Sequence, residues 1–314
     1  MPSIYLRVSI QDQCNLRCTY CRPAEDVRLN PARQVLATSD LVELISLVQK
    51  TIPIRKLRLT GGEPLVREDV VDVVRKVRKL LPEVELCMTT NGVFLAHLAT
   101  QLKDAGLDRL NVSLDTIDAK TYSSLTRGGD ISKVIRGINA ALEAGFDGLK
   151  LNAVLLRSSG KQGLVELAVF AAKLGVELRF IELMPISVAA GMHRLEFLTS
   201  SDALGYLEQE FGTAMSMESG GIAKRYRLPM GTGSVVVGFI SSVTEPFCSN
   251  CDRLRVDSGG RIFACLRNPD WLDLGTPLKQ GDAHEVERRI KAVLDAKRQP
   301  DSIWPGRQMS AIGG

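Results

Sequence analysis

The sequence predicts an α/β protein, built as an incomplete (β/α)6 barrel with a smaller C-terminal α+β extension. Two observations favour this fold. Six short strand-like segments alternate with helix-like runs in the first part of the chain, and this alternation ends after about Pro185. Alternating strands and helices form parallel sheets with right-handed crossovers, and six units are fewer than the eight of a complete barrel. We expect domains at 1–215 and 216–314.

The strand predictions rest on short apolar runs bounded by turn residues. They cover residues 5–10, 56–60, 85–89, 109–114, 149–155 and 177–183. The helix predictions rest on 3.6-residue periodicity, and three of the helices are followed by Gly106, Gly145 or Gly175 as stop signals. They cover residues 39–50, 67–81, 93–105, 131–144 and 163–174, with a last helix near 283–297. Between them, the stretch "SGGIAKRYRLPMGTGSVVVGFISS" predicts hairpins.

The composition is that of a soluble globular enzyme, with 45% hydrophobic and 24% charged residues. The net charge is only +4, and aromatic residues make up 5%, which argues against a nucleic-acid partner. No apolar run reaches about 18 residues, so we expect no membrane span. The strand-like start lacks the pattern of a secretion signal, and we therefore expect a cytoplasmic protein with reduced thiols.

The first cysteine group, Cys14, Cys18 and Cys21, lies in "CNLRCTYC". Three thiolates can bind three irons of a cubane iron–sulfur cluster, which normally takes four, and the last iron then accepts an outside ligand. A structural zinc site is the alternative, but zinc takes four protein donors and no histidine is close in sequence. Three unrelated core cysteines are a weaker alternative.

The C-x-x-x-C-x-x-C spacing, with Tyr20 before the last cysteine, resembles the radical S-adenosylmethionine superfamily. The later segment "LTGGEPL" is similar to the turn with which that superfamily binds the amine of S-adenosylmethionine. The resemblance implies a TIM-like partial barrel of the radical S-adenosylmethionine type. It also implies that the open iron binds S-adenosylmethionine and that its reductive cleavage yields a 5′-deoxyadenosyl radical.

The second cysteine group is Cys248, Cys251 and Cys265, again three thiolates without a neighbouring histidine. We interpret it as a second cubane with an open iron, and a zinc ribbon that lacks one ligand is the alternative. Arg253 and Arg255 are two residues apart, so on a strand they would face the same side. Two arginines on one side suit a phosphorylated ligand.

Four features together resemble the GTP 3′,8-cyclase family, also called molybdenum cofactor biosynthesis protein A. They are the first cysteine loop, "GGEP", "CDRLR" with its third cysteine, and the C-terminal "MSAIGG". The resemblance covers almost the whole chain. It implies two [4Fe–4S] clusters, one on each cysteine group, and it implies that S-adenosylmethionine contacts Tyr20, Gly62, Glu63, Ser113 and Met184. It implies that GTP contacts Arg7, Arg58, Thr89, Lys150, Arg253, Leu254 and Arg255, and that catalysis uses Arg7, Lys56, Arg179, Arg253 and Arg255.

The implied reaction is the conversion of GTP to 3′,8-cyclo-7,8-dihydro-GTP, the first step of molybdenum cofactor biosynthesis. Its implied partners are an external electron donor, the cyclic pyranopterin monophosphate synthase that acts next, and a second copy of the chain in a homodimer. We expect the basic residues to gather at the mouth formed by the carboxyl ends of the strands. Two other functions stay open: a radical enzyme of the peptide maturase type, or a metal-bound nucleic-acid-binding protein.

Two positions depart from the pattern of that family. Arg22 stands where the family usually has methionine, and Asp252 replaces the commoner asparagine before R-L-R. The tail Gly313–Gly314 resembles the family's terminal glycines, and we expect it to help organise the active site. Cys87 lies within a predicted strand, so we expect a buried apolar residue there rather than a ligand.

Overall fold

The computed structural model describes residues 3–24, 35–218, 221–248, 251–267 and 270–297. In these ranges, twelve strands form one sheet. In chain order the strands are β1 (Ile4–Ser9), β2 (Ile54–Thr60), β3 (Glu85–Thr90), β4 (Arg109–Ser113), β5 (Lys150–Leu155), β6 (Glu177–Glu182), β7 (Met215–Met217), β8 (Lys224–Met230), β9 (Gly233–Ile240), β10 (Arg253–Val256), β11 (Arg261–Phe263) and β12 (Leu272–Asp273).

The helices fill the gaps between the strands. They are α1 (Thr38–Thr51), α2 (Val70–Leu80), α3 (Leu95–Asp104), α4 (Ala119–Thr126), α5 (Ile131–Glu143), α6 (Gly160–Leu174), α7 (Val188–Glu196), α8 (Ser200–Phe211), α9 (Gly275–Lys279) and α10 (Ala283–Ala296). None of the helices in the described ranges is long and apolar enough to cross a membrane.

Strands β1 to β6 are parallel and lie in the order of the chain, as the sequence predicts. The C-terminal part adds strands at both edges of this sheet, because β10 pairs in parallel with β1 and β9 pairs in parallel with β6. The remaining strands extend both edges by antiparallel pairing, with β11 on β10 and β12 on β11 at one edge, and β8 on β9 and β7 on β8 at the other. Strand β7 crosses the expected domain boundary at 215/216, which stays a prediction.

The two faces of the sheet differ in chemistry, which places the core on one side and polar groups on the other. In β1, Ile4, Leu6 and Val8 are fully buried in the main hydrophobic core, whereas Tyr5 and Arg7 alternate with them and point to the other face. The helices supply the matching apolar stripe: Val70, Val73, Val74 and Val77 of α2 are all buried, for example. The polar face is therefore the interior face of the partial barrel.

Helices α7 and α8 follow β6 in a region where the sequence predicts no helix. Helix α8 carries a capping signal that periodicity alone did not detect: Thr199 Oγ1 accepts a 3.0 Å hydrogen bond from the Asp202 amide. Helix α7 has a single buried residue, Ala189. With so little apolar burial, its sequence has no helical stripe to recognise.

Candidate active site

The first cysteine loop follows the carboxyl end of β1. Its three cysteines are half-buried and free of disulfides. Two nitrogen donors point at the Cys14 sulfur: the Leu16 amide at 3.4 Å and Asn91 Nδ2, from the end of β3, at 3.8 Å. Donors of this kind are typical of the surroundings of cluster thiolates, whose charge they stabilise.

Helix α4 and the residue after it hold this loop in place. The Arg17 and Thr19 amides donate to the Thr126 and Leu125 carbonyls at 3.2 and 2.9 Å. Arg127 has a φ of 55°, in the left-handed region, and its Nη1 donates to the carbonyls of Arg17, Arg22 and Pro23 at 2.8, 2.8 and 3.2 Å. A single guanidinium thus fixes the middle and the C-terminal end of the cysteine loop.

The chemistry of the cysteine set fits a positively charged metal cluster. Burial raises the pKa of Cys18 well above its usual value, and the negative charges of Asp115, Cys21 and Cys14 raise it further. Three thiolates so close together repel one another, and bound iron would offset this repulsion. Among the described residues, no three His, Cys, Asp or Glu side chains converge on a single metal ion.

The "GGEP" turn, just after β2, packs directly on the backbone of the cysteine loop. The Gly62 and Glu63 amides donate to the Gln11 and Gln13 carbonyls at 2.7 and 2.8 Å. A Cβ atom at Gly61 would lie 2.5 Å from the Gln11 oxygen, and one at Gly62 would lie 2.3 Å from the Gln13 oxygen. Both distances are far below van der Waals contact, so this approach requires glycine at both positions.

Glu63, predicted to contact S-adenosylmethionine, is 1% exposed, and both of its carboxylate oxygens are occupied. Oε1 accepts from Thr90 Oγ1 at 2.6 Å and from the Leu65 amide at 3.0 Å, and Oε2 accepts from the Asn91 amide at 2.7 Å. Burial raises the pKa of Glu63 to about 7, although these hydrogen bonds act in the opposite direction. In this conformation the carboxylate joins the glycine turn to the end of β3.

The other residues predicted for S-adenosylmethionine lie at the same end of the sheet. Ser113 is the last residue of β4, and Met184 lies two residues beyond β6; both are half-buried. The Tyr20 hydroxyl donates a 2.7 Å hydrogen bond to Asp115 Oδ2, and the Val154 amide donates to Asp115 Oδ1 at 2.8 Å. Asp115 thereby positions Tyr20 against the strand ends.

The second cysteine group lies at the opposite end of the sheet. Cys251 precedes β10, which runs parallel to β1, and Cys265 follows β11, which runs antiparallel to β10. Lys297 Nζ donates to the carbonyls of Arg253 and Ala264 at 2.7 and 2.9 Å and to Cys251 Sγ at 3.7 Å. The Arg267 amide lies 3.4 Å from Cys265 Sγ. This set therefore also has nitrogen donors on its sulfurs, which fits cluster ligands.

The predicted basic residues form two groups on the interior face. The first group, which we name the Tyr5 cluster, surrounds Tyr5. It consists of Arg7 on β1, Lys56 and Arg58 on β2, and Arg253 and Arg255 on β10. Register places these residues on one face, since Tyr5 is opposite both Arg253 and Lys56. Burial lowers the pKa of Arg255 well below its usual value, and Arg7 and Arg253 lower it further.

The second group, the Glu177 cluster, consists of the predicted Lys150 and Arg179, together with Arg225 from β8, around Glu177. The Glu177 carboxylate pairs with Lys150 Nζ at 2.7 Å, with Arg179 Nε at 2.6 Å and with Arg225 Nη2 at 3.5 Å. Burial raises the pKa of Glu177, but Arg179 and Lys150 outweigh it and hold the pKa below its usual value. A cavity of about 490 Å³ opens beside this cluster and is also lined by Arg109 and Arg227.

The expected position of the basic residues is wrong in one respect. They do not gather at the carboxyl-end mouth, because Lys150 is the first residue of β5, Lys56 and Arg179 are the third residues of β2 and β6, and Arg7 lies in the middle of β1. Along β1, Tyr5 lies about 13 Å from Ser9, the last residue of the strand. The basic side chains that are predicted to bind phosphate therefore lie deep in the barrel, toward the end that holds the second cysteine group.

Two predicted GTP contacts differ in their accessibility. Thr89 faces the interior and accepts a 3.1 Å hydrogen bond from Arg58 Nη1. Leu254 lies opposite Leu6 on the apolar face and is fully buried in the core, so only its backbone faces a ligand bound between its arginine neighbours. The Gly313–Gly314 tail lies outside the described residues. Cys87 is fully buried, as predicted.

Comparison with known proteins gives the family. Residues 8–171 match the model of the Radical SAM superfamily, and residues 176–303 match the model named Molybdenum Cofactor Synthesis C. The chain is 39% identical to the GTP 3′,8-cyclase of Paenarthrobacter nicotinovorans, with 98% of this chain and 94% of the relative covered. It is 41% identical to the GTP 3′,8-cyclase of Pseudomonas putida strain W619, with 99% and 91% covered. This chain belongs to the GTP 3′,8-cyclase family.

Membership in the family confirms the resemblance that was based on the sequence motifs. The chain is therefore a radical S-adenosylmethionine enzyme with an iron–sulfur cluster. Solved structures confirm the fold alone. Streptococcus suis SuiB bound to S-adenosylmethionine superposes with a TM-score of 0.62 at 15% identity, covering 87% of this chain and 64% of that one. Native anSMEcpe with bound AdoMet gives 0.52 at 15% identity, covering 66% and 59%.

Sequence reasoning missed four residues that organise the site: Tyr5, Arg127, Glu177 and Lys297. None belongs to a motif, and each of the four acts through a partner more than 20 positions away, such as Lys297 with Cys251. One signal was available for Tyr5, because it is two residues from Arg7 on the same strand and therefore shares its face. The others become visible only when the strands are placed side by side.

Proposed function

We propose that this chain converts GTP to 3′,8-cyclo-7,8-dihydro-GTP in the first step of molybdenum cofactor biosynthesis, as an S-adenosylmethionine-dependent lyase. One observation carries the proposal. Two groups of three cysteines lie at opposite ends of the β1–β10 strand pair, and buried cations lie on the interior face between those ends. A nucleotide that extends along the interior would meet both ends at once.

At the carboxyl end, Cys14, Cys18 and Cys21 would bind a [4Fe–4S] cluster. Gly62, Tyr20, Ser113 and Met184 would surround S-adenosylmethionine there, since they lie at the same strand ends. When bound, the cluster and S-adenosylmethionine together supply a carbon radical that abstracts a hydrogen atom from the substrate ribose. The glycine turn and the cysteine loop pack in direct backbone contact and would hold this cluster site against the strand ends.

At the other end, Cys248, Cys251 and Cys265 would bind a second [4Fe–4S] cluster that receives the guanine. The count of two clusters is part of this proposal. The Tyr5 cluster and the Glu177 cluster would supply the positive charge that a triphosphate needs. One guanidinium group can bind two phosphate oxygens at once. Fixing both the base and the phosphates would restrict the conformations of the nucleotide, and ring closure between its C3′ and C8 requires such an orientation.

Two buried polar atoms support a polar ligand at the interior face. Asn152 Oδ1, on β5, and Arg225 Nε, on β8, have no hydrogen-bond partner within the described ranges. An unsatisfied buried group costs roughly 1–3 kcal/mol. A nucleotide that hydrogen-bonds to both atoms would remove that cost on binding.

The two other functions have less support. For a peptide maturase, likeness to solved structures at 15% identity shows the fold alone and carries no argument about substrate, whereas the relatives at 37–41% identity are GTP 3′,8-cyclases. A nucleic-acid-binding module does not account for cations that are buried inside a barrel. Arg58 and Arg255, for example, are 5% and 6% exposed, which is too little for a nucleic-acid backbone to reach.

The test is an anaerobic incubation of reconstituted protein with S-adenosylmethionine, a chemical reductant and GTP that carries deuterium at C3′. We expect 5′-deoxyadenosine that contains the deuterium, together with 3′,8-cyclo-7,8-dihydro-GTP. Formation of 5′-deoxyadenosine without deuterium would contradict the proposed site of hydrogen abstraction. ATP in place of GTP is the control, and it should give neither product.

Iron and sulfide counts test the number of clusters. Replacing Cys248, Cys251 and Cys265 together by alanine should halve both counts, while cleavage of S-adenosylmethionine remains detectable. The matched control is Cys87→Ala, which should keep the wild-type counts because Cys87 is a buried core residue. Zinc without sulfide in the wild-type protein would overturn the proposal.

The setting of the reaction is also proposed. The enzyme would act in the cytoplasm, receive electrons from an external donor and deliver its product to cyclic pyranopterin monophosphate synthase. Homodimer formation and an organising role for Gly313–Gly314 belong to the same proposal. Deleting the two glycines should lower GTP affinity and turnover, and unchanged values would exclude that role.

A further inference from the structure

Tyr5 lies at the centre of the cations that the proposed function assigns to GTP. It is 9% exposed and stands on β1, opposite Arg253 of β10 and Lys56 of β2. Both cations approach its ring: Lys56 Nζ and Arg253 Cζ are each 5.6 Å from the ring centroid. These distances are those of cation–π contacts. Tyr5 therefore contacts the basic residues of both neighbouring strands.

The Tyr5 hydroxyl fixes the direction of two guanidinium groups. It accepts a hydrogen bond from Arg58 Nε, and it is also hydrogen-bonded to the Arg7 side chain. On its other side, Arg58 Nη1 donates to the Met88 carbonyl at 3.2 Å and to Thr89 Oγ1 at 3.1 Å. Arg58 is thus held between β1 and β3 on the interior face.

The charges around Tyr5 are predominantly positive. Arg7 comes from β1, Lys56 and Arg58 from β2, and Arg253 and Arg255 from β10. The nearby carboxylate on β3, Glu85, already pairs with Lys56 Nζ at 2.7 Å and with Arg109 Nε. Burial raises the pKa of Tyr5, but Arg58, Arg7 and Arg253 outweigh it and lower the pKa to about 8. Burial also lowers the pKa of Arg7 to about 10.

We propose that Tyr5 is a positioning residue for nucleotide binding: its neutral hydroxyl orients Arg58 and Arg7 toward the phosphates, and its ionised form competes with those phosphates for the same cations. The inference rests on the proposed function, because it needs an anionic nucleotide on this face. It goes further by assigning a role to a residue outside the cysteine, glycine and arginine motifs, and by making nucleotide affinity dependent on pH.

Two results are expected from equilibrium binding of GTP to the reconstituted holoprotein, without S-adenosylmethionine or reductant, at pH 7, 8 and 9. Tyr5→Phe should bind GTP about three- to tenfold more weakly at pH 7, because Arg58 and Arg7 lose an acceptor. The wild-type affinity should also fall roughly tenfold between pH 7 and pH 9 relative to Tyr5→Phe, because only the wild type forms the phenolate. Any change in the protonation of GTP itself affects both proteins equally, so the comparison with the variant cancels it.

The matched control is Tyr206→Phe on α8, away from the basic residues, and it should follow the wild-type pH profile. A second measurement needs only the wild type. By reciprocity, saturating GTP should decrease the phenolate absorbance of the protein between pH 8 and pH 9. A phenolate signal that GTP leaves unchanged, or parallel pH profiles of wild type and Tyr5→Phe, would overturn the inference while the proposed function stands.

A wild-type protein that fails to bind GTP at any pH would overturn the proposed function and this inference together. Failure of the deuterium experiment alone, with GTP binding and its pH dependence as expected, would overturn only the proposed reaction. The two sets of outcomes therefore separate the role of Tyr5 from the chemistry of the active site.

Discussion

The carbonyl oxygen of Gln13 lies 2.3 Å from the position that a Cβ atom would occupy at Gly62, and the Asp12 oxygen lies 2.7 Å from it. Both oxygens belong to backbone, so a methyl group at residue 62 must push the cysteine loop away from the glycine turn. The loop carries Cys14, Cys18 and Cys21, and its position therefore depends on the absence of a side chain at residue 62.

Gly62→Ala should disrupt the first cluster and leave the second one in place. We expect about half of the wild-type iron, and formation of 5′-deoxyadenosine lowered on the order of 100-fold, since a displacement of about 1 Å can cost that much. Gly205→Ala on α8 is the matched control, because a Cβ atom there meets nothing within 4 Å. It should keep full activity, and alanine should stabilise that helix by up to about 1 kcal/mol. Equal effects of the two substitutions would contradict the steric argument.

Arg127 should be required for assembly of the first cluster, because its guanidinium donates to three carbonyls of the cysteine loop. Arg127→Gly separates this role from backbone strain, since glycine relieves the left-handed φ of 55° that costs arginine roughly 1–2 kcal/mol. We expect the variant to lose first-cluster iron even though its backbone is more relaxed. Arg136→Ala, an exposed arginine on α5, should retain it. Full iron content in Arg127→Gly would remove Arg127 from the assembly of the site.

Glu63 should make stability fall as the pH rises from about 4.5 to about 7. Burial raises its pKa in the folded state to about 7 from the 4.5 of an unperturbed glutamate, so the folded state holds the proton over this range and the unfolded state releases it. Stability then decreases with pH, by on the order of 3 kcal/mol across the window. Glu63→Gln does not titrate and provides the comparison.

The measurement is the melting temperature of wild type and Glu63→Gln between pH 5 and pH 8. The wild type should lose stability relative to the variant with increasing pH, whatever their difference at pH 5. Parallel curves would show that Glu63 titrates outside this window.

Lys297 should raise the reduction potential of the second cluster, because its ammonium is 3.7 Å from Cys251 Sγ and bonded to two neighbouring carbonyls. Lys297→Met removes the charge and keeps most of the length of the side chain. We expect the potential to fall on the order of 50–100 mV, the equivalent of one charged hydrogen bond for a one-electron couple. A spectroscopic redox titration measures it. Lys291→Met, exposed on the same helix, is the control and should leave the potential unchanged.

The sequence by itself determined the fold class and the family, and it predicts the cysteine ligands. All six barrel strands were predicted to within two residues, because each is a short apolar run followed by a polar turn. The cysteine groups and the "GGEP" turn carry their chemistry in local spacing, which needs no tertiary structure to interpret. The same local character explains why α7 was missed, since it buries one residue and has no stripe.

Only the tertiary structure decided where these groups lie relative to one another. Cys248 and Cys251 follow the hairpin strands in the chain, yet strand pairing between β10 and β1 brings them to the end of the barrel opposite Cys14. The same pairing surrounds Tyr5 with cations from three strands, and it places the basic residues deep in the barrel instead of at its mouth. Strand order and register set these distances. They arise from strand pairing between residues up to 248 positions apart, such as Tyr5 and Arg253, and no local pattern in the sequence records them.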